Sequence, residues 1–348
     1  MIRVNNIHLS LDYDDKSVRK AVAQQLRVEE KSIKSCKIFR RSVDARKKDN
    51  IYFLTTVDAE LNINEDKVCK KCGNAQIARK YEYNQMKFGN APSPVVVGAG
   101  PAGLFAALIL ARSGANPILI ERGRDVDRRT ADVNKFWTNG QLDTTSNVQF
   151  GEGGAGTFSD GKLNSGTKDI RQRKVLEEFV SHGAPDEILY NAKPHIGTDM
   201  LKGTIKNIRN EIIELGGRVM FETKLVSMAF SDNKLKSITV ETANGNEIIE
   251  TDNIILAIGH SARDTFEMLY DLKLPIEAKP FSVGARIEHL RQKVDKAQYG
   301  RFAGNKKLGS ANYKLSTHLD NGRGVYTFCM CPGGECQCVK RRKQTLHQ

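Results

Sequence analysis

Residues Pro94 to Gly123, PVVVGAGPAGLFAALILARSGANPILIERG, decide the fold. They read as strand, tight glycine turn, helix, turn, second strand and acid. Val95, Val96 and Val97 make a short β-branched run, suited to a strand buried on both faces. Gly98, Gly100 and Gly103 follow at once with the spacing G-x-G-x-x-G. The first glycine permits the sharp turn, the second has no Cβ to block a pyrophosphate, and the third lets the helix lie close on the strand. A helix is predicted over Leu104 to Arg112, with Ala102, Ala106 and Ala107 small enough for close packing. Its N-terminal N–H groups and dipole favour a diphosphate. Ile118 to Ile120 form the next strand, and Glu121 ends it 23 residues after Gly98. A carboxylate at that distance accepts a hydrogen bond from a ribose 2′-OH and disfavours a 2′-phosphate. The stretch therefore points to FAD or NAD rather than NADP.

The chain around it has 348 residues, enough for two or three domains. No apolar run approaches the roughly 20 residues a membrane span needs, and the N-terminus, MIRVNNIHLSLDYDD, alternates and is acidic, unlike a signal peptide. A cytoplasmic protein is expected. An odd number of cysteines, seven, argues against a disulfide framework. Cys69 and Cys72 have the spacing of half a zinc site, but no second C-x-x-C follows; two linker thiols are the plainer expectation, and no metal is assigned. The net charge of +13 has one source in Lys34 to Lys48, with seven basic residues and one acid, and another in KRRK at 340–343. Such runs suit nucleic acid, but solvated surface is the commoner reason for them.

Residues 1–60 read as a small α+β module: a strand over Ile2 to Leu11, a helix over Ser17 to Gln25, and strands near Ile33 to Phe39 and Ile51 to Val57. That order occurs in RNA-binding folds, although no aromatic motif of the RNA-binding type is present. Residues 61–92 are polar and read as a linker. A second glycine-rich stretch, SNVQFGEGGAGTFSDGKL at Ser146 to Leu163, offers freed backbone N–H groups for an anion and close approach to a flat ring. Helices are predicted over Ile170 to Ser181 and Asp199 to Leu215. His195, just before the second, is a candidate general acid or substrate ligand, against a plain polar loop residue. Strands are predicted over Arg218 to Phe230, Lys234 to Thr242, Glu247 to Glu250 and Asn253 to Ile258, with a hairpin turn at Asn244-Gly245. The last runs into Ala257-Ile258-Gly259, placed to return to the first sheet and favour FAD over NAD. Cys329 and Cys331 alternate on a strand and share a face. They are candidates to face a flavin or bind metal, or are small hydrophobes.

Taken together, VVVGAGPAGLFAAL, SNVQFGEGGAGTFSDGKL, PHIGTDML, KPFSVGARIEH and GVYTFCMCPGG resemble the bacterial family of uncharacterised FAD-dependent, or NAD(FAD)-utilising, dehydrogenases. The first string is shared by many flavoproteins; the others are more particular to this family. The resemblance implies an α/β protein. It would have a glutathione-reductase-type FAD-binding Rossmann domain (93–165 and 218–275), an inserted substrate or cap domain (166–217 and 276–334), and a small N-terminal α+β domain (1–60). It implies that Gly98, Gly100, Pro101, Ala102, Gly103, Glu121 and Arg122 hold the ADP part of FAD. Gly153, Gly154, Ala155 and Gly156 would lie along the pyrophosphate or flavin. Leu225 would touch adenine through its backbone, and Ala257 and Gly259 would complete the adenosine side. The implied activity is that of a FAD-dependent oxidoreductase, with a small-molecule substrate and electron acceptor that the motifs leave open and NAD(P)H as a candidate reductant. After about residue 334 the chain departs from the family pattern. Residues 335–348 are polar and basic, which raises the expectation of a frameshifted or early-ending chain with an incomplete cap domain. Two other readings stand beside the enzyme: a flavin-containing RNA-associated protein, and an inactive truncated fragment.

Overall fold

The computed structural model describes residues 1–79, 81–89, 92–158, 161–163, 165, 167, 169–328 and 330. Alternation in the first eight strand residues puts Ile2, Val4, Ile7 and Leu9 on one buried face of β1 (Ile2–Leu9), with a bulge between Val4 and Ile7 that keeps them there. Helix α1 (Asp15–Leu26) opens with a capping box. The Asp14 side chain accepts from the Ser17 N–H, and the Ser17 hydroxyl accepts from the Asp14 N–H. It lays Val18, Val22, Ala23 and Leu26 on the strands. β2 (Ile33–Asp44) and β3 (Tyr52–Leu61) follow as predicted, with β2 running through part of the basic stretch. The polar segment predicted as a linker instead begins with α2 (Glu65–Lys71) and β4 (Ala75–Ile77), which pairs with β1. The module is thus β-α-β-β-α-β with sheet order β2-β3-β1-β4, the split βαβ arrangement. Cys69 and Cys72 pack against its core. Among the described residues no group of histidine, cysteine or acid is placed to hold a metal.

The central unit comprises β5 (Val95–Val97), α3 (Pro101–Arg112), β6 (Ile118–Ile120), α4 (Val126–Asn139), α5 (Gln172–Ser181), α6 (Thr198–Glu214) and β7 (Arg218–Met220). An antiparallel sheet of β8 (Lys224–Ser231), β9 (Lys234–Thr242) and β10 (Gly245–Glu250) comes next, and β11 (Ile254–Leu256) then returns. The parallel sheet has the order β11-β5-β6-β7. Its two central strands, β5 and β6, are continuously apolar and buried because each serves two cores. Val96 and Leu119 pack with α3 and α6, while Val95, Val97, Ile118 and Ile120 pack with β8, β9 and α7 (Arg263–Asp271). The single strand predicted over 218–230 is two strands in two sheets; Glu222, at φ 51, turns the chain between them.

Helix α8 (Arg291–Tyr299) and the turns after it sit on the N-terminal module. Tyr299, Leu308 and Ala311 are buried in the same cluster as Ile2, Val22 and Phe53. Residues 291–311, which the sequence assigned to a cap domain, therefore share a core with residues 1–68. The hairpin of β12 (Ser316–His318) and β13 (Gly324–Tyr326) ends the described chain. Arg41 joins the module to the central unit. Its N–H donates to Tyr190 O at 2.6 Å, and its guanidinium donates to Tyr13 Oη at 2.7 Å and Asn191 Oδ1 at 3.1 Å. Among the described residues no helix is long and apolar enough to cross a membrane.

The far end of α3 is clamped by charge. Arg112 donates to Glu211 Oε1 of α6 at 2.5 Å and to Glu178 Oε1 of α5 at 2.6 Å, and the His182 Nε2 lies 2.7 Å from Glu211 Oε2. Burial pushes the Glu178 carboxyl up, but hydrogen bonds from Arg112 and Lys174 outweigh it and leave it below the usual carboxylate range. The Glu211 carboxyl is held down first by Arg112. Both groups titrate lower in the folded protein, so their stabilisation is full above the ordinary glutamate pKa, about 4.3, and is lost as pH falls through the folded values. Thermal unfolding is expected to move to lower temperature below that pH. An Arg112→Met variant is expected to lose roughly 1–3 kcal/mol at neutral pH and to show a flatter acid dependence. Unfolding of both proteins as a function of pH checks this.

Candidate functional site

The site begins at the turn between β5 and α3. Gly98 has φ +101, and a Cβ there would lie 2.5 Å from the Ala257 carbonyl oxygen. A Cβ on Gly103 would lie 1.8 Å from the Gly98 carbonyl oxygen. These two glycines let the turn, α3 and the end of β11 touch backbone to backbone. Gly100 is different: a Cβ there would meet only the Gly154 Cα, at 4.0 Å, so its missing side chain leaves open space. Gly100 is also the N-cap of α3 and gives the helix no side-chain cap; Pro101 occupies its first turn. The first N–H groups of α3 therefore remain for a ligand.

Glu121, at the end of β6, is buried and ties three turns together. Its Oε2 accepts from the Ala99 N–H at 2.8 Å, and its Oε1 accepts from the Gly123 N–H at 2.9 Å and the Gly151 N–H at 3.1 Å. The sequence assigns this carboxylate to a ribose hydroxyl. Two carboxylate oxygens offer about four acceptor sites, so three backbone donors leave one, on Oε2, and Glu121 lines the cavity.

The second glycine stretch lies directly on the first. The Gly153 N–H donates to Ala99 O at 2.8 Å, and a Cβ on Gly154 would come within 3.2 Å of Gly100 Cα and Pro101 Cδ. The loop is held from behind by Arg129 of α4, whose side chain is wholly buried. It donates to the carbonyls of Asn147 (2.8 Å), Val148 (3.0 Å), Gly151 (3.2 Å), Glu152 and Gly154 (2.8 Å). Burial draws its pKa down to about 10, which keeps the cation at neutral pH. Glu152, also wholly buried, accepts from the Val126 N–H at 2.7 Å and from Arg209 at 2.9 Å, and burial pushes its carboxyl up.

These loops enclose a cavity of about 480 Å³. It brings together Gly98, Gly100, Pro101, Ala102, Glu121, Arg122, Gly154, Ala155, Leu225, Ala257 and Gly259. Gly103 sits beneath the turn and Gly153 behind it, while Gly156 faces outward. His195 is exposed and outside the lining, with its backbone paired to Lys162. Cys329 and Cys331 lie outside the described residues, as do 335–348. Arg122 is paired at 2.9 Å with Asp264 and at 2.9 Å with Thr265 Oγ1, and lies over the Phe150 ring. Burial raises the Asp264 carboxyl, but Arg122 and Lys224 overcome this and hold it at about 2. Sequence reasoning singled out the stretch that holds Gln149 and Phe150 without naming either, and it missed Thr223, Lys224 and Phe266 in the lining and Arg129 behind it. An uncapped helix N-terminus, a position without a Cβ above it, and a largely apolar pocket at the end of β11 fit a diphosphate joined to adenosine.

Residues 92–271 match the pyridine nucleotide-disulphide oxidoreductase family, and residues 280–346 match "FAD-dependent protein, C-terminal domain-like". The second match includes most of the stretch that the sequence set apart after residue 334. Residues 1–60 match a domain of unknown function. An uncharacterized protein of Clostridium beijerinckii is 47% identical over 339 residues, which are 96% of this chain and 63% of that protein. The chain thus spans less than two thirds of that relative. Among solved structures, Thermovibrio ammonificans THI4 aligns with a TM-score of 0.35 and 15% identity, over 53% of this chain and 64% of that one. A flavocytochrome c3 fumarate reductase aligns with a TM-score of 0.35 and 18% identity, over 51% and 35%. The family match from 92 to 271 takes in more than half of the chain and contains both glycine loops, Glu121 and β11. The chain belongs to the pyridine nucleotide-disulphide oxidoreductase family, with FAD as its cofactor.

Proposed function

We propose that this protein is a dehydrogenase-like FAD-dependent oxidoreductase of the glutathione-reductase type, working in the cytoplasm on a small-molecule substrate. The observation that carries the reading is the convergence of the first glycine turn, Glu121, the second glycine loop and the end of β11 on one cavity. Gly100 and the N-terminus of α3 would hold the diphosphate, and Gly154 and Ala155 would flank it. Glu121 would offer its remaining acceptor site to the ribose. Leu225, Ala257 and Gly259 would enclose the adenosine. FAD, when bound, supplies the hydride and electron chemistry, and the protein orients it and excludes water. Arg122 is held in place by Asp264 and would close the adenosine side. No acid–base residue is assigned, since His195 lies outside the lining. NAD(P)H as reductant stays a proposal without a second glycine fingerprint behind it. The RNA-associated reading would rest on the basic stretch 34–48, in which Arg41 is committed to Tyr13 and Asn191.

Trp137, the one tryptophan of the chain, reports on the site. Its ring packs edge-on against Phe158, 6.1 Å between centroids, at the end of the loop that begins with Gly154. Titrating the apoprotein with FAD should quench Trp137 emission to saturation at one equivalent. Emission that is insensitive to FAD would count against the reading.

A further inference from the structure

Arg129 spends its guanidinium in an unusual way. A buried arginine ordinarily pairs with a carboxylate, because an unpaired buried charge is costly. Here five loop carbonyls, from Asn147, Val148, Gly151, Glu152 and Gly154, and the Thr157 hydroxyl at 3.3 Å, take its hydrogen bonds, and the Glu121 and Glu152 carboxylates favour its charge without accepting any of these bonds. A trans peptide is planar, with its C=O and the following N–H pointing opposite ways. Each carbonyl turned in toward Arg129 therefore turns an N–H out. The Glu152 carbonyl faces Arg129, and the Gly153 N–H bonds Ala99 O at 2.8 Å, locking the second loop to the first. The Gly154 carbonyl faces Arg129 at 2.8 Å, so the Ala155 N–H is turned away from Arg129, and Ala155 lines the cavity beside Gly100 and Pro101.

We infer that Arg129 is a positioning residue: by gathering the carbonyls of the 147–154 loop it presents the Ala155 amide to the cavity as a donor for the anionic diphosphate of FAD. The inference rests on the FAD reading above. The positive charge behind the loop strengthens that donor by polarising the same peptide. Arg129 needs no contact with the cofactor to do this. Its planar fork of five donors fits the ring of carbonyls, whereas lysine, with three, does not.

The test compares FAD, ADP and adenosine binding, followed by Trp137 emission, in the wild type, Arg129→Lys and Arg129→Ala. Arg129→Ala is expected to weaken FAD and ADP on the order of 100-fold, and Arg129→Lys about tenfold. Adenosine, which lacks the diphosphate, should change no more than about 3-fold if the loss is confined to that donor. Millimolar guanidinium, but not ammonium, should restore FAD binding to Arg129→Ala. Equal weakening of adenosine and ADP would reduce Arg129 to general stability and overturn the inference. Unchanged FAD binding would overturn it too, as would failure of both variants to unfold cooperatively. A wild-type protein that binds none of the three ligands would instead overturn the FAD reading itself.

Discussion

A Gly100→Ala variant should fold as the wild type does and fail to hold FAD. A Cβ at this position meets nothing nearer than the Gly154 Cα at 4.0 Å, and residue 100 has φ −70, which alanine adopts freely. The empty protein therefore has no reason to be destabilised. The added methyl stands where the diphosphate must approach the start of α3, and overpacking of about 1–3 kcal/mol converts to roughly 10–100-fold weaker binding. Gly103→Ala gives the opposite pattern. Its Cβ would sit 1.8 Å from the Gly98 carbonyl oxygen, an atom of backbone that cannot rotate away. That variant should lose about 3 kcal/mol or more of stability, even though alanine is the better helix former. Gly156→Ala, with nothing within 4 Å of its Cβ, serves as the neutral control. Urea unfolding of the apoproteins and FAD titration together separate the three. If Gly100→Ala binds FAD normally, the diphosphate is not where the first glycine turn puts it.

Glu121→Gln should destabilise the apoprotein as well as weaken FAD. The usual reading of such an acid is a ribose ligand, and a ribose ligand alone would leave the empty fold untouched. Here the carboxylate accepts from Ala99, Gly123 and Gly151, three donors in three different turns. Glutamine has one carbonyl oxygen. With that oxygen toward Gly123 and Gly151, its NH2 faces the Ala99 N–H, donor against donor. A buried donor left without an acceptor costs about 1–3 kcal/mol. The urea midpoint should fall with no change in the slope of the transition, and FAD should bind about tenfold or more weakly because the first glycine turn loses its anchor at Ala99. A Glu121→Gln protein as stable as the wild type would show that the three turns hold one another without the carboxylate.

The parts of the fold legible in the sequence are those whose physics is local. Val95 to Glu121 contains its own strand, turn, helix and acid, and Gly103 is required by the Gly98 carbonyl within that unit, although Gly98 itself is required by Ala257 at the end of β11. The alternation of β1 and the capping of α1 are local too. The parts that were not legible depend on distant partners. Arg129 sits in DVDRRTADV, on the helical stripe of Val126 and Val133, while Arg128 is exposed; the string places Arg129 on the inner face but does not show what it bonds, which carbonyls 18 to 25 residues later decide. Helix α2 has seven residues, EDKVCKK, with one buried side chain, so it shows no apolar period. β4 has only three residues and forms because β1 offers an edge. Residues 291–311 carry few large apolar groups, and what buries Tyr299 and Leu308 is a sheet formed almost 300 residues earlier. Glu121 was found by spacing, but its three backbone partners depend on how the loops stack.

The central claim is that the cavity between the two glycine loops holds FAD, and the most direct measurement is the identity of what the folded chain carries. The protein, purified under native conditions, should be yellow, and heat should release one equivalent of FAD, identified by chromatography and its fluorescence; Gly100→Ala, purified alongside, should be folded and colourless. A folded wild-type chain that releases no FAD, and takes none up when the apoprotein is incubated with it, would contradict the assignment of this cavity.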